Sequence, residues 1–595
     1  MCGIFLLLNN GLGMGQSVFS KGFIEDAFKK GSRRGPESSK LIHPTSQVTA
    51  GFHRLAINGL DDISMQPIWI NNKMLICNGE IYNYKKLYEQ LGVVPTTNSD
   101  CEIILHLYER VGIDQTIRML DGVFAFAIYD ADLNKIFVAR DPYGVRPLYC
   151  WKGMNHIFMF ASELKVIAPF QDTDIRQRLM RIEDVGVSQE LPQYQQYQQE
   201  LQGQTEITQF KPGHYQVITC DKIFKMWLRD ETIQYHTLTT FSSYLKPISL
   251  HENIVYHLNN AVMKRCLATD RPIACLLSGG LDSSLIAALV NNFYSLSFDK
   301  KIKLETYSIG LADSEDLKYA RIVADHLGTN HTEIIMTEDD FFNAIPQVIE
   351  AIESYDTTTV RASIGNYLLG KYISQYSEAK VIFNGDGSDE LCGGYLYMHK
   401  CPDPIEFDKE TKRLLNDIYM YDVLRSDKCI SSHGLEPRTP FLDKSFVQFY
   451  LSIPAVDRYH PQDNQCEKYL LRSSFETMYH PDSEKPFLPE NILWRTKEAF
   501  SDGVSGHGRS LYHILQEKIA QIEGIQEEYA SARKSNKYTH LPPKTLEQYY
   551  YRSLFHRFYP NNEKVIPYFW MPKYTDTNDP SARTLTSLYN AKMNI

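Results

Sequence analysis

Leu277-Ser278-Gly279-Gly280-Leu281-Asp282-Ser283-Ser284 is the stretch on which the reading of this chain turns. The apolar run Ile273-Ala274-Cys275-Leu276-Leu277 before it has the length of one buried strand, and Leu285-Ile286-Ala287-Ala288-Leu289-Val290 after it reads as the first turns of a helix. A strand, a tight Gly-Gly turn and a helix start together make an anion site. Glycine lets the backbone bend toward a phosphate, and the free amides of the first helical turn point at it. Ser278, Ser283 and Ser284 add hydroxyl donors. Asp282 is the odd member, because a carboxylate beside a polyphosphate is repelled unless a cation lies between them. That points to Mg²⁺, a hard ion held by one or two carboxylates and phosphate oxygens. No Gly-Lys-Ser/Thr follows, so the stretch is not a Walker loop.

Working outward, Lys303 to Gly310 reads as a second strand, and its helix, Asp316 to Leu327, is ended by Gly328. Ala379 to Phe383 reads as a third strand, running into Asn384-Gly385-Asp386-Gly387-Ser388-Asp389-Glu390. Strands alternating with helices predict a parallel sheet with ligands at the carboxyl ends of its strands. The polar loops lie at such ends and converge on one nucleotide site. Asp389 is then the second candidate for Mg²⁺, opposite Asp282. Farther on, Trp494-Arg495-Thr496-Lys497-Glu498-Ala499-Phe500 offers Lys497 to a phosphate as a point charge.

The whole chain sets the bounds. At 595 residues it is more than one domain. A net charge of −10 argues against a nucleic-acid surface, and no apolar stretch approaches the roughly 18 residues of a membrane span. Apolar Ile4 to Leu8 precedes the first basic residue, Lys21, the reverse of a signal peptide. The 11 scattered cysteines read as reduced thiols, which predicts a cytoplasmic protein. Gln189 to Gln204 is a low-complexity Gln/Tyr segment to which no chemistry is assigned.

The chain opens Met1-Cys2-Gly3-Ile4-Phe5. Trimming of Met1 would leave Cys2 with a thiol and an α-amine on one residue. The amine titrates near ~8 and the thiol near ~8.5, so the amine can take the thiol's proton. Alone, Cys2 reads more simply as a small buried residue opening a strand, and Arg54 and Asp100 as surface or cap residues. The segments that follow shift this reading. Gly51-Phe52-His53-Arg54-Leu55-Ala56-Ile57-Asn58 is strand-like with an arginine inside, and Leu75-Ile76-Cys77-Asn78-Gly79-Glu80 ends in an Asn-Gly turn signal. Asn98-Ser99-Asp100 caps a helix, and Val123 to Tyr129 with Lys135 to Ala139 flank a turn, an antiparallel hairpin.

These segments, over roughly residues 2 to 165, are similar to the glutamine amidotransferases with an N-terminal cysteine nucleophile found in asparagine synthetases. The loop at 277–284 resembles the pyrophosphate loop of enzymes that split ATP into AMP and pyrophosphate. From about 250 onward the chain resembles the synthetase domain of asparagine synthetases, with Tyr355 to Ser363, Glu436 to Asp443, Tyr550-Tyr551-Arg552 and Asp579-Pro580-Ser581-Ala582-Arg583 as further matches. The resemblance implies an antiparallel β-sandwich of the N-terminal-nucleophile type, α+β in class, joined to an α/β domain with a parallel sheet and pyrophosphate loop. Residues 2–219 would be the glutaminase, 220–247 a linker and 248–595 the synthetase.

By the same resemblance Cys2 would attack the glutamine amide, and Asn78 and Gly79 would form the oxyanion hole. Arg54, Leu55, Ala56, Ile57, Asn58, Glu80 and Asp100 would bind glutamine, Arg54 at its carboxylate and Asp100 at its ammonium. Leu277, Ser278, Gly279, Gly280, Asp282, Ser283, Ile309, Asn384 and Gly385 would hold ATP. Arg361 and Lys497 would bind phosphate, and Asp282 and Asp389 would ligate Mg²⁺. The substrates would be ATP, aspartate and glutamine, and dimers are usual in such enzymes. One position departs from the pattern. Similar asparagine synthetases carry Ser-Gly-Glu-Gly where this chain has Asn384-Gly385-Asp386-Gly387, so Asp386 offers the catalytic charge on a side chain one methylene shorter.

Overall fold

The computed structural model describes residues 1–12, 16–184, 206–221, 223, 225–242, 246–297, 302–463, 465–478, 485–497, 503–506, 509–577 and 579–580. The Gln/Tyr segment 189–204 and residues 498–502 and 581–595 lie outside these. The chain divides into two compact units, one of residues 1–237 with Ser553–Pro567, the other of Leu238–Arg552 with Tyr568–Ile595.

Among the described residues, the first unit contains two six-stranded sheets whose neighbouring strands pair antiparallel. One sheet has β1 (Gly3–Leu8) among its inner strands. The other contains β2 (Lys73–Ile81) paired with β3 (Gly122–Asp130), so that Asn78 faces Ala125 and Gly79 faces Phe124. β1 is buried from end to end, which is why it reads as an unbroken apolar run. Ile4, Leu6 and Leu8 share one apolar cluster with Met74 and Ile76 of β2 and Ala125 and Ala127 of β3. The alternate residues Leu75, Cys77, Phe124 and Phe126 pack instead with the helical residues Ile103, Ile104 and Leu107. Period-two alternation thus sends the side chains of β2 and β3 into two separate cores.

Two features bear on the expected boundaries. Trp227–Gln234, read as linker, is an edge strand paired with His214–Cys220. Its middle is the exposed polar run Arg229-Asp230-Glu231-Thr232, the kind of charged edge that blocks further pairing and carries no hydrophobic signal. Ser553–Pro567 groups with the first unit, so the second is not one continuous segment.

The second unit is built on a five-stranded parallel sheet. Its strands are β4 (Ile273–Leu276), β5 (Glu305–Gly310), β6 (Asn330–Ile335), β7 (Val381–Phe383) and β8 (Glu436–Arg438), in the spatial order β6-β5-β4-β7-β8. The chain runs outward from β4 to β6, then returns to place β7 on the other side of β4. That reversal makes the crevice between the ends of β4 and β7 the topological switch point, where ligands of open α/β sheets bind. α1 (Leu281–Ser297) starts at this crevice and buries Leu285, Ile286, Leu289 and Val290. α2 (Glu315–Leu327) ends on Gly328 at φ 71°, as its sequence predicts. No helix among the described residues is long and apolar enough to cross a membrane.

Candidate active site

The loops leaving β4 and β7 meet at the switch point. Gly385 lies so close to the start of α1 that a β-carbon there would stand 2.7 Å from Asp282 Cβ. Gly279 has φ +72°, and an added β-carbon would come within 2.4 Å of Ala320 N in α2. Both glycines are therefore demanded by close backbone approach. The serines brace the turn. Ser278 Oγ and Ser283 Oγ are 3.1 Å apart, Ser278 N donates to Ser283 Oγ at 3.2 Å, and Gly280 N donates to Ser278 Oγ at 3.4 Å.

A cavity of about 220 Å³ opens over these loops. Leu277, Ser278, Gly280, Asp282 and Ser283 line one side of it, and Ile309 lies in the wall from β5. Asn384, Gly385, Asp386 and Asp389 come from the loop after β7, and Lys497 closes the wall. Asn384 is fixed by donating from Nδ2 to Ser426 Oγ at 2.7 Å.

The charges are arranged as a tight quartet. Lys468 Nζ stands 2.6 Å from Asp282 Oδ2 and 2.6 Å from Asp389 Oδ1, while Lys497 Nζ is 2.7 Å from Asp389 Oδ2 and 3.9 Å from Asp282 Oδ2. Ser388 Oγ donates to Asp282 Oδ1 at 2.8 Å. Burial raises the Asp389 carboxyl, but Lys468 and Lys497 outweigh it and hold the group well below the usual carboxylate range. Burial likewise opposes the Lys497 charge, and Asp389 and Asp282 overcome it and push that ammonium upward. One cation, Lys468, already touches both carboxylates, so the two lie close enough to share a second cation. Paired hard oxygen donors beside a phosphate-type loop fit Mg²⁺.

Lys468 escapes the sequence reading. It precedes α5 (Tyr469–Glu476) with φ 60°, a left-handed conformation rare for a residue with a side chain. Its stem passes so near Gly394 that a β-carbon there would stand 2.0 Å from Lys468 Cε. Nothing in Cys466-Glu467-Lys468-Tyr469 announces that geometry.

Beyond the quartet, Asp386 Oδ1 accepts from Arg425 Nη2 at 3.1 Å, and Arg425 Nη2 also donates to Asp422 Oδ1 at 3.0 Å. Both partners belong to α4 (Asp422–Ser431). Burial pushes the Asp386 carboxyl up, against the pull of Arg425. Tyr395 OH donates to Glu390, whose carboxyl is driven well above its usual range by burial and then by Asp422 and Asp389.

Arg361, expected on phosphate, is engaged elsewhere. It lies in α3 (Thr357–Tyr376), outside the residues that line the cavity. Its guanidinium donates to Glu547 at 2.8 and 2.6 Å and to Asp579 at 2.9 and 2.8 Å, and it stacks 4.7 Å from the Tyr512 ring. Residues that bind phosphate and residues that dock a chain segment look alike in sequence, since both require a fork of donors. Arg361→Met leaves buried Glu547 without its fork, so unfolding free energy should fall by about 3–5 kcal/mol. A thermal melt checks this, and the ATP KM should stay within about twofold.

In the first unit the glutamine-site candidates form a connected set. Cys2 Sγ donates to Leu55 O at 3.4 Å, and Arg34 Nε, unpredicted, donates to Cys2 O at 2.8 Å. Leu55, Ala56 and Ile57 are buried, and Ala56 N donates to Glu37 Oε2 at 2.8 Å. Arg54 Nη2 donates to Gly59 O, which turns the loop, and Asn58 Nδ2 donates to Glu80 Oε2 at 2.6 Å. Asp100 accepts from Ile81 N at 2.6 Å, tying the acidic turn to β2. Gly79 is required by packing, because a β-carbon would stand 2.5 Å from Val123 O. Asn78 is fully buried, and neither its Nδ2 nor its Oδ1 has a hydrogen-bond partner among the described residues. A buried amide left unsatisfied is costly and calls for an explanation, such as a ligand atom that completes it.

Residues 254–416 and 402–585 match the family model described as asparagine synthase, and 1–227 match that of a glutamine amidotransferase domain. The chain belongs to the asparagine synthase family. It is 40% identical to the asparagine synthetase (glutamine-hydrolyzing) of Gallus gallus, with 98% of each chain covered. It is 39% identical to the Homo sapiens asparagine synthetase (glutamine-hydrolyzing), with 99% of this chain and 100% of that one covered. The Bos taurus relative of the same name is 39% identical over 98% of this chain and 99% of its own. Membership in the family spans both units, and each candidate site lies inside a matched segment.

Proposed function

We propose that this enzyme makes asparagine from aspartate, ATP and glutamine, releasing AMP, diphosphate and glutamate. The observation that carries the reading is the quartet of Asp282, Asp389, Lys468 and Lys497 at the mouth of the Ser278–Ser283 loop. It offers fixed positive charge and hard oxygen donors where a triphosphate would be split.

In the first unit, on an N-terminal-nucleophile scaffold, removal of Met1 frees the Cys2 amine to take the thiol proton. The thiolate attacks the side-chain amide carbon of glutamine. Asn78 Nδ2 and Gly79 N–H receive the oxyanion, Arg54 holds the substrate carboxylate, and Asp100 with Glu80 holds its ammonium. Ammonia leaves, and water hydrolyses the thioester to glutamate. Asn78→Ala should lower glutamine hydrolysis by about 10²–10³-fold, the usual loss for one oxyanion donor. A glutamate-release assay reads this, and ammonium-dependent asparagine formation should be unchanged.

In the second unit the aspartate β-carboxylate attacks the α-phosphorus of ATP, giving β-aspartyl-AMP and diphosphate. The amides and hydroxyls of Ser278–Ser283 cradle the phosphates, and Lys497 and Lys468 follow the charge onto the leaving group. Mg²⁺, when bound by Asp282 and Asp389, would neutralise phosphate charge. Ammonia then attacks the acyl carbon and AMP departs. Asp386 stands beside this centre with its charge held by Arg425. At neutral pH free ammonia is mostly ammonium, which has no lone pair to attack with, so ammonia must pass from one reaction to the other before it is protonated. The test is release of asparagine, AMP and diphosphate from ATP, Mg²⁺ and aspartate with glutamine or ammonium. Absence of aspartate-dependent AMP under both conditions would overturn the reading.

A further inference from the structure

The cavity holds more charged groups than a nucleotide and its metal require, and the surplus lies at one end. Asp386, Glu390, Tyr395, Asp422 and Arg425 line that end, adjoining the Asp282–Asp389 quartet. An aspartate molecule brings two groups besides the reacting β-carboxylate, an α-carboxylate that needs a cation and an α-ammonium that needs an anion.

The cations in the cavity wall can be sorted by their engagements. Lys468 and Lys497 face the phosphate loop on Asp282 and Asp389. Arg472 is spent on its own scaffold, with Nε on Glu467 O at 2.8 Å, Nη1 on Leu493 O at 2.5 Å and Nη2 on Glu467 Oε1 at 2.9 Å. Arg495 pairs with Asp316 at 3.0 Å and stacks 3.9 Å from the Tyr319 ring. Arg425 differs from these. Its Nε and Nη2 hold Asp422 and Asp386, and its Nη1 makes no hydrogen bond among the described residues while the side chain faces the cavity. A guanidinium anchored on one edge and open on another presents a fixed donor to an incoming carboxylate.

We propose that Arg425 and Asp422, one helical turn apart on α4, are the specificity pair for the amino-acid end of aspartate. Arg425 takes the α-carboxylate on its open edge, and Asp422 takes the α-ammonium. Asp386 ties Arg425 to the loop that abuts the phosphate cradle, so a substrate held this way directs its β-carboxylate toward the α-phosphorus. The assignment rests on the asparagine synthetase reading above and adds to it the residues that choose the acyl substrate.

Two truncated substrates separate the roles. 3-Aminopropanoate is aspartate without the α-carboxylate, and succinate is aspartate without the α-ammonium. The experiment measures AMP release with each, using saturating ATP, Mg²⁺ and ammonium, for wild type, Arg425→Gln, Arg425→Lys and Asp422→Asn. Wild type should strongly prefer aspartate to both. In Arg425→Gln the aspartate KM should rise about 100-fold, the usual scale for deleting one member of a buried charge pair, and the preference over 3-aminopropanoate should collapse. Arg425→Lys should recover part of that preference. In Asp422→Asn the preference over succinate should fall while that over 3-aminopropanoate persists. ATP affinity should stay within about twofold in all variants, because neither Arg425 nor Asp422 bonds to the Ser278–Ser283 loop. An unchanged preference over 3-aminopropanoate in Arg425→Gln would overturn the assignment and leave the synthetase reading standing, as would loss of ATP affinity in that variant. A wild type that forms no AMP with aspartate would sink both.

Discussion

Cys2→Ala should lose glutamine-dependent asparagine formation by at least about 10⁴-fold and keep ammonium-dependent formation at the wild-type rate. An alanine at this position has no atom that can form the thioester, so the remaining oxyanion donors can only polarise a carbonyl that nothing attacks. The substitution is small and local. Cys2 Sγ donates a long hydrogen bond to Leu55 O at 3.4 Å, and β1 beyond it is held by its own ladder. The fold of the first unit should survive, and the second unit contains none of the altered atoms. Measuring asparagine with glutamine and, separately, with ammonium distinguishes the cases. Equal loss with both nitrogen sources would mean that Cys2 supports the structure and is not a nucleophile.

Lys497→Met should give the reverse pattern, with AMP release falling by about 10²–10³-fold from either nitrogen source and glutamine hydrolysis persisting. Methionine keeps the length of the apolar stem and removes the charge. Lys468 would still bridge Asp282 and Asp389, so the carboxylates stay paired and the loops stay together. The cation facing the leaving diphosphate is lost, and the loss belongs to the transition state. It should therefore appear in kcat for AMP formation more than in the ATP KM. A variant that keeps its kcat but binds ATP weakly would show that Lys497 only anchors the ground state.

Much of the fold was legible because its determinants are local. The strand, Gly279-Gly280 turn and helix of residues 273–290 announce themselves within twenty positions, and the antiparallel hairpin of Gly122–Asp130 with Lys135–Arg140 is marked by its turn. The convergence of the loops after β4 and β7 follows from a parallel sheet. Other parts depend on partners remote in sequence. Arg361 meets Glu547 and Asp579 at separations of 186 and 218 residues, so no window around Thr357-Thr358-Thr359-Val360-Arg361 could redirect it from phosphate to a chain segment. Asp422 and Arg425 have the spacing of an ordinary surface ion pair on a helix, and only the packed structure turns that face inward. Trp227–Gln234 hid as a strand because an edge exposed to water needs no apolar alternation.

The return of Ser553–Pro567 to the first unit bears on the order in which the protein can be born. Lys564 pairs with Glu206, residues separated by 358 positions, and both belong to that unit. Domains made on a ribosome generally fold as they emerge, the earlier before the later. Here a segment that groups with the first unit is made only after most of the second has been translated. The contacts that the first unit makes with Ser553–Pro567 therefore form only after the body of the second unit has been made.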